Sequence, residues 1–223
     1  MRDTRKDKAY FDAFIAEENE AVSDFEQSIQ SGEITPDTVP SVRDEILMIK
    51  TGVLIARYSR GDDIDELCGM LTEMTDDFCK WWESDAYTDN IRFASMAYLF
   101  GTEEKVLEKI RKNMIGKNEG KTYDRLIDFI LTGNVSSGKL AWEKPYHLLA
   151  QAIDESSAEP LKTYLSRWYS AHRDCEWYDT HKIRDDMLYC GYWCFEAAAV
   201  AKRLGLDDTA LRQSKYYPAD LIQ

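Results

Sequence analysis

Tyr189-Cys190-Gly191-Tyr192-Trp193-Cys194-Phe195-Glu196-Ala197-Ala198-Ala199-Val200-Ala201-Lys202, continuing into Arg203-Leu204-Gly205-Leu206-Asp207-Asp208, is the stretch whose reading decides the fold. Cys190, Cys194, Ala197, Ala201 and Leu204 step by four, three, four and three, the spacing of one helix face. Trp193, Phe195 and Val200 fill other faces, so the spacing predicts a helix that is apolar nearly all round and buried at the centre of a domain. Gly205 supplies a left-handed stop, and Asp207-Asp208 place acids on the first turn of an expected next helix.

Working outward, the chain reads as helical throughout. A first helix is expected from about Asp7 to Gln30, with Tyr10, Phe11, Phe14, Ile15, Val22, Phe25 and Ile29 as its apolar stripe and Gly32 beyond its end. Thr35 to Pro40 reads as a loop, after which Ser41 is positioned to cap a second helix with Asp44 in a capping-box arrangement. That helix carries Ile46, Leu47, Ile49, Val53, Leu54 and Ile55 and stops near Gly61. A third begins at Asp62-Asp63, a fourth is capped by Thr88 and ends at Phe100-Gly101, and a fifth opens at Thr102-Glu103-Glu104. Ile115 to Gly120 reads as a loop. Further helices follow at about Tyr123 to Leu131, Pro145 to Ile153 and Ala158 to Ala171. No period-2 run long enough to require a sheet appears.

Three segments share one pattern of helix, glycine stop, acidic start and helix: around Gly61, Gly101 and Gly205. The glycines follow no fixed period, so the pattern predicts three antiparallel hairpins and no regular solenoid. The expected class is all-α, with a smaller N-terminal helical part packed on a C-terminal helical domain that contains the central buried helix. The expected division is 1–115 and 116–223, with the seam within 113–140.

The chain has 223 residues, 44% of them hydrophobic and 31% charged, with five prolines and a formal net charge of −13. That is a globular composition of one domain or two small ones. No apolar run is long enough to cross a bilayer, and the basic N-terminal residues lack an apolar segment behind them, so neither a membrane anchor nor a secretory leader is expected. An odd number of scattered cysteines, Cys68, Cys79, Cys175, Cys190 and Cys194, points to reduced thiols and a cytoplasmic location. The acidity disfavours nucleic acid and anionic membranes as direct partners and favours a basic protein.

The fragments that invite a catalytic label do not assemble into chemistry. His172-Arg173-Asp174 spells a kinase tripeptide without the glycine loop, strand lysine or metal-binding tripeptide that must accompany it. Ser136-Ser137-Gly138-Lys139 has a Ser-x-x-Lys spacing without partner motifs. Gly116 to Lys121 follows no strand and lacks the hydroxyl residue of a phosphate loop. Cys190 and Cys194, with His172, Cys175 and His181 upstream, are candidate zinc ligands, but both cysteines fall where small core residues belong on the expected helix. His147 has no ligand spacing around it and reads as a partly buried capping or packing residue.

Adjacent acids such as Glu17-Glu18, Asp62-Asp63, Asp65-Glu66, Asp76-Asp77 and Asp185-Asp186 point apart on a helix and suit a solvated face better than acid–base catalysis. Glu196 differs, because it lies inside an apolar run. Its charge needs a clamp, for which a tyrosine hydroxyl or a backbone N–H is expected. The expectation is therefore a protein that is not an enzyme and needs no cofactor and no metal. Trp177-Tyr178, an aromatic pair in an irregular stretch, is either a lid over the core or a recognition anchor.

Several segments resemble the PoNi family, bacterial immunity proteins against PoNe-type DNase toxins of polymorphic toxin systems. They are Tyr10-Phe11-Asp12-x-Phe14-Ile15 with Phe25-Glu26, Leu54-Ile55-Ala56-Arg57-Tyr58-Ser59-x-Gly61-Asp62, and Trp142-x-Lys144-Pro145-Tyr146. Trp168-Tyr169, Trp177-Tyr178-Asp179-Thr180-His181-Lys182 and the tail through Tyr216-Tyr217-Pro218 are similar as well. The resemblance implies an all-α, two-part protein that binds a cognate nuclease toxin in the bacterial cytoplasm and neutralises it by forming a stoichiometric complex. A DNase carries a cationic groove for phosphates, and an acidic protein can occupy it. Candidate toxin-binding residues are Asp62, Asp63, Asp65, Glu66, Asp76 and Asp77 on the acidic surface, with Trp177 and Tyr178. The rival readings are a helical-hairpin adaptor for another protein and a metal-dependent helical hydrolase.

Overall fold

The computed structural model describes residues 1–117, 123–136, 138–184 and 186–222. Among them are nine α-helices and no strand: α1 (Lys8–Ser31), α2 (Val39–Arg60), α3 (Ile64–Trp81), α4 (Tyr87–Leu99), α5 (Glu104–Lys117), α6 (Arg125–Thr132), α7 (His147–Glu155), α8 (Glu159–Ala171) and α9 (Phe195–Leu204). The all-α class expected from the periodicity is what forms. The expected loop after Ile115, the Ser136 to Lys139 turn and the Asp185-Asp186 pair lie partly outside the described residues. Within them, α5 continues past Ile115 to Lys117.

The chain packs as two compact units, 1–82 with 179–192, and 83–178 with 193–223. In the first, α1 packs on α2 and α2 on α3. Asp7 caps α1 by accepting the Tyr10 N–H, and Gly32 ends it at φ 80°. The core of this unit gathers Phe11, Phe14, Leu54, Tyr58, Leu67, Leu71 and Phe78, with Tyr189 and Tyr192 contributed by the late segment. Asp3 is almost fully buried beneath Tyr189. It accepts the Tyr189 hydroxyl and Arg5 Nη1, at 2.5 and 2.7 Å.

In the second unit α9 contacts α4, α6, α7 and α8. Its run Phe195 to Ala201 is buried throughout. The alanines explain how one ten-residue helix meets four others, since small side chains let neighbouring backbones approach. Arg203 leaves the end of α9 to cap α6, donating from Nε and Nη2 to the Ile130 and Leu131 carbonyls at 2.8 Å. These are carbonyls at a helix C-terminus, which have no partner inside their own helix.

Several local expectations are corrected. The central helix begins at Phe195 and not near Tyr189. The Tyr189 N–H donates to the Tyr10 hydroxyl, the Cys190 carbonyl accepts from Ser59 Oγ, and the Cys194 N–H donates to the Tyr216 carbonyl. Backbone groups a helix would use internally are thus engaged elsewhere, and Gly191 sits at φ 129°, outside helical space. Cys190 and Cys194 therefore do not share a helix face.

Helix α2 starts at Val39, before Ser41, because Pro40 fits the first turn with its preset φ. Thr88 does not cap α4; its hydroxyl meets the Tyr146 hydroxyl at 3.1 Å while Ala86 occupies the cap position. After Gly205 the expected helix reduces to the short 3-10 turn Leu211–Gln213. There Asp208 receives Arg212 Nε and the Tyr217 hydroxyl. The hairpins at Gly61 and Gly101 form, and the third does not. His147 is exposed at the start of α7.

Candidate functional site

Helix α3 turns Leu67, Leu71, Met74, Thr75 and Phe78 inward. Its other face is exposed and carries Asp65, Glu66, Glu73 and Asp76. The spacing explains the stripe, since positions 65, 69, 73 and 76 recur every three or four residues. Asp63 caps the helix by accepting the Asp65 N–H at 2.8 Å. The acids of the first turn sit at the positive end of the helix dipole.

The six acidic candidates are not equivalent. Asp62 is enclosed by two arginines: Arg57 Nε and Arg60 Nη2 each lie 2.6 Å from Oδ2, and Arg60 Nε donates to Oδ1 at 2.8 Å. Burial works to raise its pKa, but the bonds from Arg60 and Arg57 outweigh that, and the net shift is downward. Glu66 shares Arg57 through Nη2 at 2.6 Å, with its side chain still 63% exposed. Asp77 lies 3.6 Å from Lys50. Asp65 and Asp76 stand on the exposed stripe. Glu73 belongs to the same stripe and was not among the candidates, although its spacing of seven or eight from Glu66 and Asp65 was legible.

Trp177 and Tyr178 belong to the second unit. They fold back over α8, half-buried. Trp177 stacks on Trp168 with ring centroids 5.1 Å apart and planes 20° apart, and Tyr178 lies 4.5 Å from Tyr169. Tyr216 stacks on Tyr169 at 5.3 Å. The pair is thus built into an aromatic layer on α8.

Beneath that layer sits Glu196, 5% exposed on the first turn of α9. Its Oε1 accepts the Tyr164 hydroxyl at 2.8 Å, Trp168 Nε1 at 2.7 Å and the Cys194 thiol at 3.3 Å. The clamp to a tyrosine hydroxyl expected from the sequence is present. Burial, with the Glu196 charge beside it, pushes the Tyr164 phenol well above its ordinary pKa and keeps it a donor. The same two causes raise the Cys194 thiol.

His172 extends this network. Its Nδ1 lies 2.7 Å from the Trp168 carbonyl, which can only accept, so Nδ1 carries the proton. In the neutral ring Nε2 then accepts from the Tyr146 hydroxyl at 3.4 Å, and the Thr88 hydroxyl in turn donates to Tyr146. Burial lowers the His172 pKa, opposed by Glu196, so the neutral form holds at neutral pH. In the sequence His172 reads as a tripeptide member and as one of the upstream zinc candidates. Its position one turn after Trp168 was the signal for this role.

The remaining zinc candidates are dispersed. His181 Nδ1 faces the Tyr192 hydroxyl at 2.9 Å in the first unit, whereas Cys194 is committed to Glu196 in the second. Among the described residues, no three His, Cys, Asp or Glu side chains come together in a way that could hold a metal ion. None of the five cysteines forms a disulfide. Among the described residues, no helix is long and apolar enough to cross a membrane.

Two family models match the chain in order. The one described as "PoNe immunity protein (PoNi), N-terminal" covers residues 2–112, and "PoNe immunity proteins (PoNi), C-terminal" covers 121–221. No curated protein matches. Among solved structures, the crystal structure of protein PA2201 from Pseudomonas aeruginosa is similar over 99% of this chain and 89% of that one, with a TM-score of 0.71 and 19% identity. At that identity the likeness speaks for the fold alone.

Proposed function

Because the chain belongs to the PoNe immunity protein (PoNi) family, matched across both its halves, we propose that it protects a bacterium from a cognate PoNe-type DNase toxin by binding the toxin stoichiometrically in the cytoplasm. The single observation that carries this reading is the pair of family matches over 2–112 and 121–221; the gap between them supports a sequence seam within 113–140. Inhibition by occupancy requires no catalytic step from this chain. The net charge of −13 supports attraction to the cationic surface a DNase needs for its substrate.

The toxin-facing surface is proposed to include the exposed stripe of α3, with Asp63, Asp65, Glu66, Asp76 and Asp77. Asp62 holds that helix start in place through Arg57 and Arg60. Trp177 and Tyr178 are the alternative anchor, because half-buried aromatics offer area at little entropic cost.

Two measurements test this. The cognate nuclease titrated with the protein should lose activity with an equivalence point near one to one. Complete inactivation by a small fraction of an equivalent would indicate turnover and refute stoichiometric neutralisation. For the surface, the fourfold variant Asp65→Asn, Glu66→Gln, Asp76→Asn, Asp77→Asn should associate more slowly and with a flatter dependence on ionic strength, because exposed charges act mainly on the on-rate. Superimposable association rates for wild type and variant would move the binding face to Trp177-Tyr178.

A further inference from the structure

Between Phe14 of α1 and Ile46 of α2 not one residue is fully enclosed. This stretch, 15–45, is the second half of α1, the turn and the start of α2. Two helices bury only the seam between them, so a hairpin without a third layer over it leaves apolar side chains partly uncovered. Val22 and Phe25 on α1 are half-buried, and Met48, just inside the body of α2, is 39% exposed.

The same 31 residues carry nine acids and one cation, Arg43, a net −8 of the chain's −13. Arg43 is engaged within the hairpin, its Nη1 2.5 Å from Glu26 Oε1. Burial, and then the charges of Glu17 and Glu45, push the Glu18 carboxyl up. Like charges therefore crowd across the two helices. Glu45 and Met48 lie three apart, on one face of α2.

We propose that this hairpin face, Glu17, Glu18, Val22 and Phe25 of α1 with Glu45 and Met48 of α2, docks a basic protein; resting on the reading above, that protein is the nuclease toxin. Charge complementarity commits the face to this occupant. A second copy of the chain would bring another net −8 against the first, and nucleic acid or an anionic membrane would be repelled. The hairpin also differs from the α3 stripe, whose exposed positions 65, 66, 69, 73 and 76 are four acids and a glycine. Charge without apolar area speeds encounter, whereas an uncovered apolar centre within a charged rim slows release. The α3 stripe is suited to steering a partner and the hairpin to holding it.

The test uses the full chain and two variants: Glu17→Gln, Glu18→Gln and Glu45→Gln together, and Met48→Ala. Against the cognate nuclease the triple variant should associate roughly tenfold more slowly at low salt, and Met48→Ala should dissociate about fivefold faster. Wild-type rates in both variants would overturn the proposal. A second probe, a short polylysine peptide added at low salt to the isotopically labelled wild-type chain, separates this proposal from the toxin reading. Amide shifts are expected within 15–48 and should be lost in the triple variant. Peptide shifts there, with no binding of the nuclease by the wild type, would refute the toxin reading and leave the face a dock for another basic protein. Peptide shifts confined to α3 would overturn the hairpin proposal itself.

Discussion

Changing Tyr164 to Phe removes one oxygen from a buried polar contact of the second unit and leaves the ring volume nearly unchanged. The lost hydroxyl donates to Glu196 at 2.8 Å, with donor and acceptor both buried. A hydrogen bond to a charged acceptor contributes about 1.5–3 kcal/mol. Trp168 Nε1 and the Cys194 thiol still donate to the same oxygen in the variant, so the carboxylate is not stranded. The expected cost is therefore about 2 kcal/mol, toward the middle of that range and short of the 3–5 kcal/mol typical of a fully broken buried charge pair. For a chain of this length it corresponds to a fall in melting temperature of roughly 4–8 °C.

Urea unfolding followed by far-UV circular dichroism measures this, with Tyr178→Phe on the half-buried outer layer as a control expected within about 0.5 kcal/mol of wild type. In a Glu196→Gln background the acceptor is neutral, and Tyr164→Phe should cost only about 1 kcal/mol, so the double-mutant cycle should show coupling of roughly 1 kcal/mol. If Tyr164→Phe is as stable as the control, or costs the same in both backgrounds, Glu196 is not an ionised acceptor for Tyr164 and the reasoning fails.

Ala198→Asp would place an unpaired carboxylate on α9 at a position that is 0% exposed; a loss above about 4 kcal/mol is expected, read as the disappearance of a cooperative thermal transition, and a variant that keeps its melting temperature would show that α9 is not the core helix. His172 has a folded pKa below the ordinary value of about 6.5, so below that pH the unfolded chain binds more protons and stability falls. The urea midpoint should drop between about pH 7.5 and pH 5.5, and drop less in His172→Gln. Equal drops would assign the titration to other groups, His181 among them, whose pKa burial also lowers.

The helical class, the α1 to α8 register to within a few residues, the glycine stops at Gly61 and Gly101 and the clamp on Glu196 were all legible in the sequence. Each rests on local physics: periodicity, a left-handed glycine, or the cost of an unpaired buried charge. Tertiary structure alone decided the segment 189–194. Its composition fits a helix, but Ser59, Tyr10 and Tyr216 claim its backbone groups, and those partners lie from 22 to 179 residues away in the chain. The same holds for His172, whose partner Tyr146, 26 residues away in the chain, no spacing could bring to it. A hydrogen bond between distant segments leaves no periodic trace, because nothing in the local pattern records which backbone group will be taken by a residue far along the chain.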